Sequence, residues 1–380
     1  MEKYGYSYLH VVKPHLHFTD PERIPEKHYP FARRKFEDMQ QQVLLKEEQA
    51  CFYLYRITDE RLKYSYTGFV GLASVDDYLS GKIKVHEHTL SRKEEALVQH
   101  IEHVKAVGEP VLLTFKGGEW YDRLIEKTER LPPVYSFSGE EQVKSEIWPV
   151  CDGENIRLIR EHLAATEALY IADGHHRSAG AVRYCQKKRA ECPSFSGEEA
   201  FNFFLAYFIP TDRLKIFEFN RLVKDLNGQK KEEFMAKLES YFQMEKIEAA
   251  DLEIKKENYR FGMYIDRTWY GLNLLEKMQD ANVLQRLDVS ILEDFVLNRT
   301  LGICDSKTDQ RLSFLDGTKG IDRLQELVDT GEFCVAFSLF PTKIDEVLEV
   351  ADRGLTMPPK STWFEPKLRT GLLIYQTDED

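Results

Sequence analysis

The chain has 380 residues, 42% hydrophobic and 31% charged, too apolar for a disordered polymer and longer than one hydrophobic core usually serves, so two lobes are expected. Acidic residues outnumber basic ones by 64 to 52, and the formal charge of -12 disfavours general nucleic-acid binding. A local basic pocket can still hold one small anion, because charges beyond a Debye length of ~10 Å are screened. No apolar run approaches the ~20 residues that span a bilayer, so no membrane association is expected. The six cysteines are scattered without a CxxC pair, behind an N-terminus unlike a signal peptide, and read as reduced thiols of a cytoplasmic protein.

In chain order, Tyr6 to Val12 and Cys51 to Ile57 read as strands flanking a helical stretch from Pro30 to Lys46, and Tyr66 to Ala73 as a further strand. Ile83 to Thr89 follows the Gly81 turn, and Ser91 with Glu94 three residues on has the pattern of a capping box for a helix to about Val107. Pro110 to Phe115 is a short apolar strand. Ile156 to Ala165 reads as helix, Leu169 to Ala172 as a buried strand, and Gly174 to about Arg189 as helix again. Asn202 to Ile209 and Leu214 to Leu222 predict a hairpin across Thr211-Asp212-Arg213, and Tyr259 to Leu274 a second one turning at Asp266-Arg267-Thr268. The final third alternates short helices and strands. Together these elements predict an α+β fold, with lobes 1-228 and 229-380 joined near the charged helix that starts at Lys230.

The motif that carries chemistry is Asp173-Gly174-His175-His176-Arg177. It follows an apolar strand and opens a helix, so unpaired backbone N–H groups and the positive end of the helix dipole converge there. Gly174 permits a tight turn, while His175, His176 and Arg177 add donors for an anion such as phosphate. The competing structural reading makes Asp173 a helix cap beside two surface histidines. A metal is not expected here, since adjacent histidines point to different sides of a helix.

His86-Glu87-His88 lies in a polar turn, where Glu87 could accept a proton from a hydroxyl or help to hold magnesium, or could simply be solvated. Near the C-terminus, Lys360, Ser361, Thr362, Lys367 and Arg369 surround Trp363-Phe364-Glu365-Pro366. They offer phosphate contacts, or an aromatic clamp edged with solvated cations. There is no Walker loop and no dinucleotide fingerprint.

Five stretches resemble the DUF1015 family, whose members carry an IADGHHR signature and are often labelled ParB-like or SpoOJ-like. They are Tyr8 to Pro14, His86-Glu87 with Thr89, Tyr170 to Arg177, Asn220 to Asp225, and Met357 to Arg369 as MPPKSTWFEPKLR. The signature is similar in turn to that of free serine kinases of ParB/sulfiredoxin-like fold, in which a DGHHR turn binds phosphates and an upstream glutamate activates the serine hydroxyl. The resemblance implies a ParB/sulfiredoxin-like core with a C-terminal α+β lobe. It implies that Asp173, His175, His176 and Arg177 hold a phosphate, with Glu87 as base. The activity implied is phosphoryl transfer on serine or phosphoserine, as a kinase or a phosphatase of serine metabolism, with a nucleotide (ATP or ADP) and Mg2+ as cofactors. The partners expected are small phosphorylated molecules.

The chain departs from the family pattern in three places. It begins close to Tyr6-Ser7-Tyr8 without the usual Pro-Tyr-Asp segment, an expected Asp-Arg pair reads Glu95-Ala96, and an expected histidine three before Trp148 is Ser145. Two competing readings follow: a non-catalytic ParB-like nucleotide-binding regulator, and a scaffold whose site has decayed.

Overall fold

The computed structural model describes residues 5–18, 25–139, 142–249, 258–276, 278 and 281–378. The chain forms two compact units, one of residues 1–214 with 366–380 and one of residues 215–365. The expected join at 228/229 falls inside the second unit. Among the described residues no helix is long and apolar enough to cross a membrane.

The first unit is built on β1 (Phe52–Asp59), β2 (Tyr64–Ser74), β3 (Ile83–Lys84), β4 (Ala106–Val107), β5 (Val111–Phe115), β6 (Tyr135–Ser138), β7 (Val143–Val150), β8 (Leu169–Asp173) and β9 (Phe203–Pro210). All but β4 join one mixed sheet in the order β3-β8-β5-β9-β2-β1-β7-β6. Pairing is parallel for β3 with β8 and for β5 with β9, and antiparallel elsewhere. Strands β5 and β9 are buried along their full length or nearly so, as expected for central strands covered on both faces.

Among the described residues seven helices accompany the sheet: α1 (Leu9–Val12), α2 (Pro25–Gln42), α3 (Val75–Leu79), α4 (Ser91–Val104), α5 (Glu119–Glu129), α6 (Gly153–Ala165) and α7 (His175–Glu191). Leu54, Phe69, Leu113, Ile171 and Phe208 of the sheet share one core with Leu124 of α5, Ile159 of α6 and Val182 of α7. A second cluster joins Tyr8 and Val11 to Phe36 and Met39 of α2 and to Val104 of α4.

The second unit has β10 (Lys215–Phe217), β11 (Phe219–Val223), β12 (Phe242–Ile247), β13 (Arg260–Ile265), β14 (Thr268–Leu274), β15 (Leu312–Asp316), β16 (Val335–Ser338) and β17 (Trp363–Glu365). Six form a sheet in the order β12-β14-β13-β16-β11-β15, and β10 pairs with β17. Its helices are α8 (Lys231–Glu239), α9 (Asp288–Ile291), which runs on as a π-helical turn through Asn298, α10 (Ile321–Asp329) and α11 (Ile344–Asp352). The β13–β14 hairpin turns at Asp266 and Arg267, both with positive φ (49° and 56°), the backbone that a two-residue hairpin loop requires. Helices and mixed sheets in these proportions make the chain α+β.

Four expectations are corrected. Tyr6 to Val12 contains a short helix rather than a strand, because Tyr8 and Val11 must face the same way to pack on α2. The hairpin across residues 211–213 does not form: β9 is paired on both edges, with β2 and β5. Ser91 is not a cap, since Leu90 precedes α4 without a side-chain bond and Glu94 instead accepts from the Thr89 hydroxyl. The cysteines are not all reduced thiols, for Cys51 and Cys151 form a disulfide. Antiparallel pairing of Phe52 with Val150 brings these next residues face to face, an alignment that spacing 100 residues apart does not announce.

Candidate functional site

The site begins where two parallel strands end side by side. Ile83 and Lys84 of β3 pair with Leu169 and Tyr170 of β8, so the residues that follow each strand leave the sheet at the same edge. Val85, His86 and Glu87 follow β3; Asp173 ends β8, and Gly174 and the first turn of α7 follow it. Leu169 to Ala172 are all buried, as in a strand covered on both faces.

Gly174 precedes α7 with φ 102° and ψ 28°, a backbone open to glycine at little cost. A methyl group there would also lie 3.0 Å from the Arg177 guanidinium, which folds back over the turn. Arg177 donates from Nη2 to Asp173 Oδ2 at 3.1 Å and from Nη1 to the Pro110 carbonyl. Lys367 Nζ stands 3.9 Å from the same Asp173 oxygen. A carboxylate therefore tethers two cations beside a helix N-terminus.

The two histidines have different surroundings. His176 is partly exposed, and its Nε2 accepts the Leu90 N–H at 3.2 Å; burial and then the charge of Lys93 hold its pKa down, against a smaller opposing effect from Glu94. His175 is only 4% exposed. Its Nε2 accepts the His86 N–H at 3.3 Å, and its Nδ1 lies 3.5 Å from Glu87 Oε2. The His86 ring meets it edge-on, with centroids 4.5 Å apart. Burial pushes His86 down to about 4. His175 is also held well below the usual histidine range, by burial first and then by His86, His176 and Arg177. Burial thus works against the protonated form of both rings.

Of the residues picked out in the sequence, the structure brings together Glu87, Asp173, Gly174, His175, His176, Arg177 and Lys367. Lys360, Ser361 and Thr362 belong to the other unit. There Lys360 lies over the Phe219 ring at 4.8 Å, and the buried Ser361 hydroxyl donates to the Pro358 carbonyl at 2.7 Å. Thr362 is buried as well. Arg369 is in the first unit, with its guanidinium on Ser145 and the Val143 carbonyl. Glu95, where the family pattern has aspartate, pairs with Arg183 at 3.0 Å.

Sequence reading passed over His86. The signal for it was its place directly after a buried strand, but only the strand register shows which ring it meets. His86, Glu87 and His175 present potential ligand atoms all within 4.8 Å of one another, a set suited by type to zinc or another transition ion rather than to magnesium, which prefers oxygen. Asp173 and Glu87 are the carboxylates with which magnesium on a phosphate would pair.

No curated protein matches the chain. Among solved structures, it is similar to a free serine kinase in complex with AMP, at 16% identity and a TM-score of 0.38 over 79% of this chain and 88% of that one. It is similar to SbnI with C-terminal truncation from Staphylococcus aureus, at 13% identity and a TM-score of 0.42 over 82% and 90%. A conserved hypothetical protein from Pyrococcus furiosus aligns at 14% identity and a TM-score of 0.38 over 79% and 93%. A family model matches residues 1–290, and the chain belongs to DUF1015, a family described as proteins of unknown function.

Proposed function

We propose that the Asp173 to Arg177 turn holds a phosphoryl group and that Glu87 serves the hydroxyl that receives it, making the chain a phosphoryl-transfer enzyme for serine or phosphoserine with a nucleotide as the second substrate. The observation that carries this reading is the parallel β3–β8 register, which sets the Glu87 carboxylate beside the N-terminus of α7. Phosphoryl transfer needs positioned donors and cations around the transferred group, and a base at the nucleophile. The start of α7, Arg177 and Lys367 supply the first; Glu87 supplies the second. Magnesium would complete the charge balance on the phosphates.

In the forward direction the serine Oγ attacks the terminal phosphorus of ATP as its proton passes to Glu87. The new O–P bond forms as the bond to the bridging oxygen breaks, and ADP leaves. The reverse direction makes ATP from phosphoserine and ADP; with water as acceptor the same site releases phosphate. The likeness of the DGHHR signature to free serine kinases supports serine as the substrate.

The test is incubation of purified protein with phosphoserine and magnesium, with and without ADP, reading ATP, serine and phosphate. Glu87→Gln is expected to lower turnover by ~100-fold or more while leaving nucleotide affinity in place. Wild-type protein that binds nucleotide but produces no ATP, serine or phosphate would overturn the enzymatic reading in favour of a nucleotide-binding regulator.

A further inference from the structure

We infer that His175 is a positioning residue for Glu87 and not a phosphate ligand: its imidazole is locked with the proton on Nδ1, and that N–H is directed at the Glu87 carboxylate. The inference rests on the reading of Glu87 as base, and extends it by separating the two adjacent histidines into different tasks.

The argument is one of donors and acceptors. A backbone N–H can only donate, and the His86 amide points at His175 Nε2 from 3.3 Å. That nitrogen must therefore keep its lone pair, and a neutral imidazole has only one other place for its proton. Nδ1 faces Glu87 Oε2 at 3.5 Å, longer than a hydrogen bond of about 2.7–3.2 Å. Glu87 is 41% exposed, whereas the His175 ring is held by burial and by the His86 ring. Catalytic hydrogen bonds of this kind commonly tighten only when substrate binds.

The same protonation pattern separates this arrangement from a metal site. A cation bound at Nδ1 would take that lone pair and drive the proton to Nε2, directly against the His86 N–H. A cation at Nε2 would instead displace the N–H. The three side chains thus sit at ligand-like spacing while their backbone neighbour opposes ligation. His175 is also too buried to face a phosphate at the mouth of the turn, where partly exposed His176 and Arg177 are available. A neutral donor suits the task, because it orients a carboxylate without the loss of basicity that an imidazolium would impose.

Nitrogen-15 correlation spectra of the full chain, with His175 assigned by the signals lost in His175→Asn, test the tautomer directly. The expected pattern is a bare Nε2 and a protonated Nδ1, unchanged by one equivalent of zinc. The opposite tautomer, an imidazolium near pH 7, or loss of the Nδ1–H on adding zinc would overturn the inference. Calorimetry with ADP then compares His175→Asn, which restores an N–H donor near Nδ1, with His175→Leu, which does not. Affinity within ~2-fold of wild type is expected for both, whereas a tenfold loss in both would make His175 a phosphate ligand. In the turnover assay kcat should fall ~10- to 100-fold in His175→Leu and recover in part in His175→Asn, with KM for nucleotide nearly constant. If wild type shows no turnover, the proposed function fails, and the spectra and calorimetry still decide the role of His175. If the leucine variant does not fold, the wild-type spectra and the asparagine variant carry the decision.

Discussion

Arg369 donates from Nε to the hydroxyl of Ser145 at 3.1 Å, and the same hydroxyl lies 3.2 Å from the Tyr55 phenol. Ser145 is fully buried in β7, so this contact ties the C-terminal segment to the sheet. The guanidinium also reaches the Val143 carbonyl and rests over the Phe137 ring at 5.4 Å. Arg369→Ala should therefore cost about 1–3 kcal/mol in urea unfolding, while calorimetry finds phosphate affinity within ~2-fold of wild type. A phosphate affinity lowered tenfold with stability intact would return Arg369 to the binding site.

Gly174→Ala places a side chain at φ 102° and 3.0 Å from the Arg177 guanidinium. About 1–3 kcal/mol of strain is expected, together with displacement of Arg177 from the turn. Thermal unfolding should show the first effect, and calorimetry with ADP or inorganic phosphate a loss of ~10-fold or more in affinity. A variant that binds phosphate as wild type does would mean that Arg177 takes no part.

The Cys51–Cys151 disulfide closes a loop of 100 residues within the first unit. A cross-link of that span restricts the unfolded chain by about 2–4 kcal/mol. Cys51→Ser, or wild type in dithiothreitol, should unfold at correspondingly lower urea concentration, and reductant should have no further effect on the variant. Identical urea midpoints with and without reductant would contradict this.

Asp288 in the second unit is pushed up to about 7 by burial, with Glu346 adding to the rise; the Tyr259 N–H and Lys343 oppose it. A carboxyl whose pKa is raised on folding holds its proton in the native state after the unfolded chain has lost it. Between the unfolded value near 4 and pH 7, stability therefore falls as pH rises, by at most about 4 kcal/mol, and is level above that. Asp288→Asn should flatten this part of the stability-pH curve, measured by urea unfolding from pH 4 to 8. An unchanged slope would show that another group sets it.

What could be read from the sequence was what depends on neighbours in the chain. The apolar run Leu169 to Ala172, then Gly174, then a helical stretch, gave the strand–turn–helix around the candidate site without any knowledge of the rest of the fold. The Asp266-Arg267 hairpin is similar, because a turn between two apolar strands is a local statement. The pairing of His86 with His175 was hidden, since they lie 89 residues apart and meet only through the β3–β8 register. The disulfide was hidden for the same reason, as it follows from β1 lying beside β7. Arg369 looked like a loose cation because its partner, Ser145, had been noted only as a missing histidine.

The C-terminal stretch 366–380 completes the first unit, and Tyr375 and Gln376 there pair with β4. The second unit is thus a single loop-out of the first, opened and closed by the paired strands β10 and β17. On the ribosome, chain order then runs against structural order. Residues 215–365 are all available before the first unit has its last segment, so the inserted unit can finish folding while its host is still incomplete. Arg369 and Lys367 reach their partners Ser145 and Asp173 only after residues 215–365 have been made, so the turn at Gly174 lacks its second cation until the inserted unit is complete.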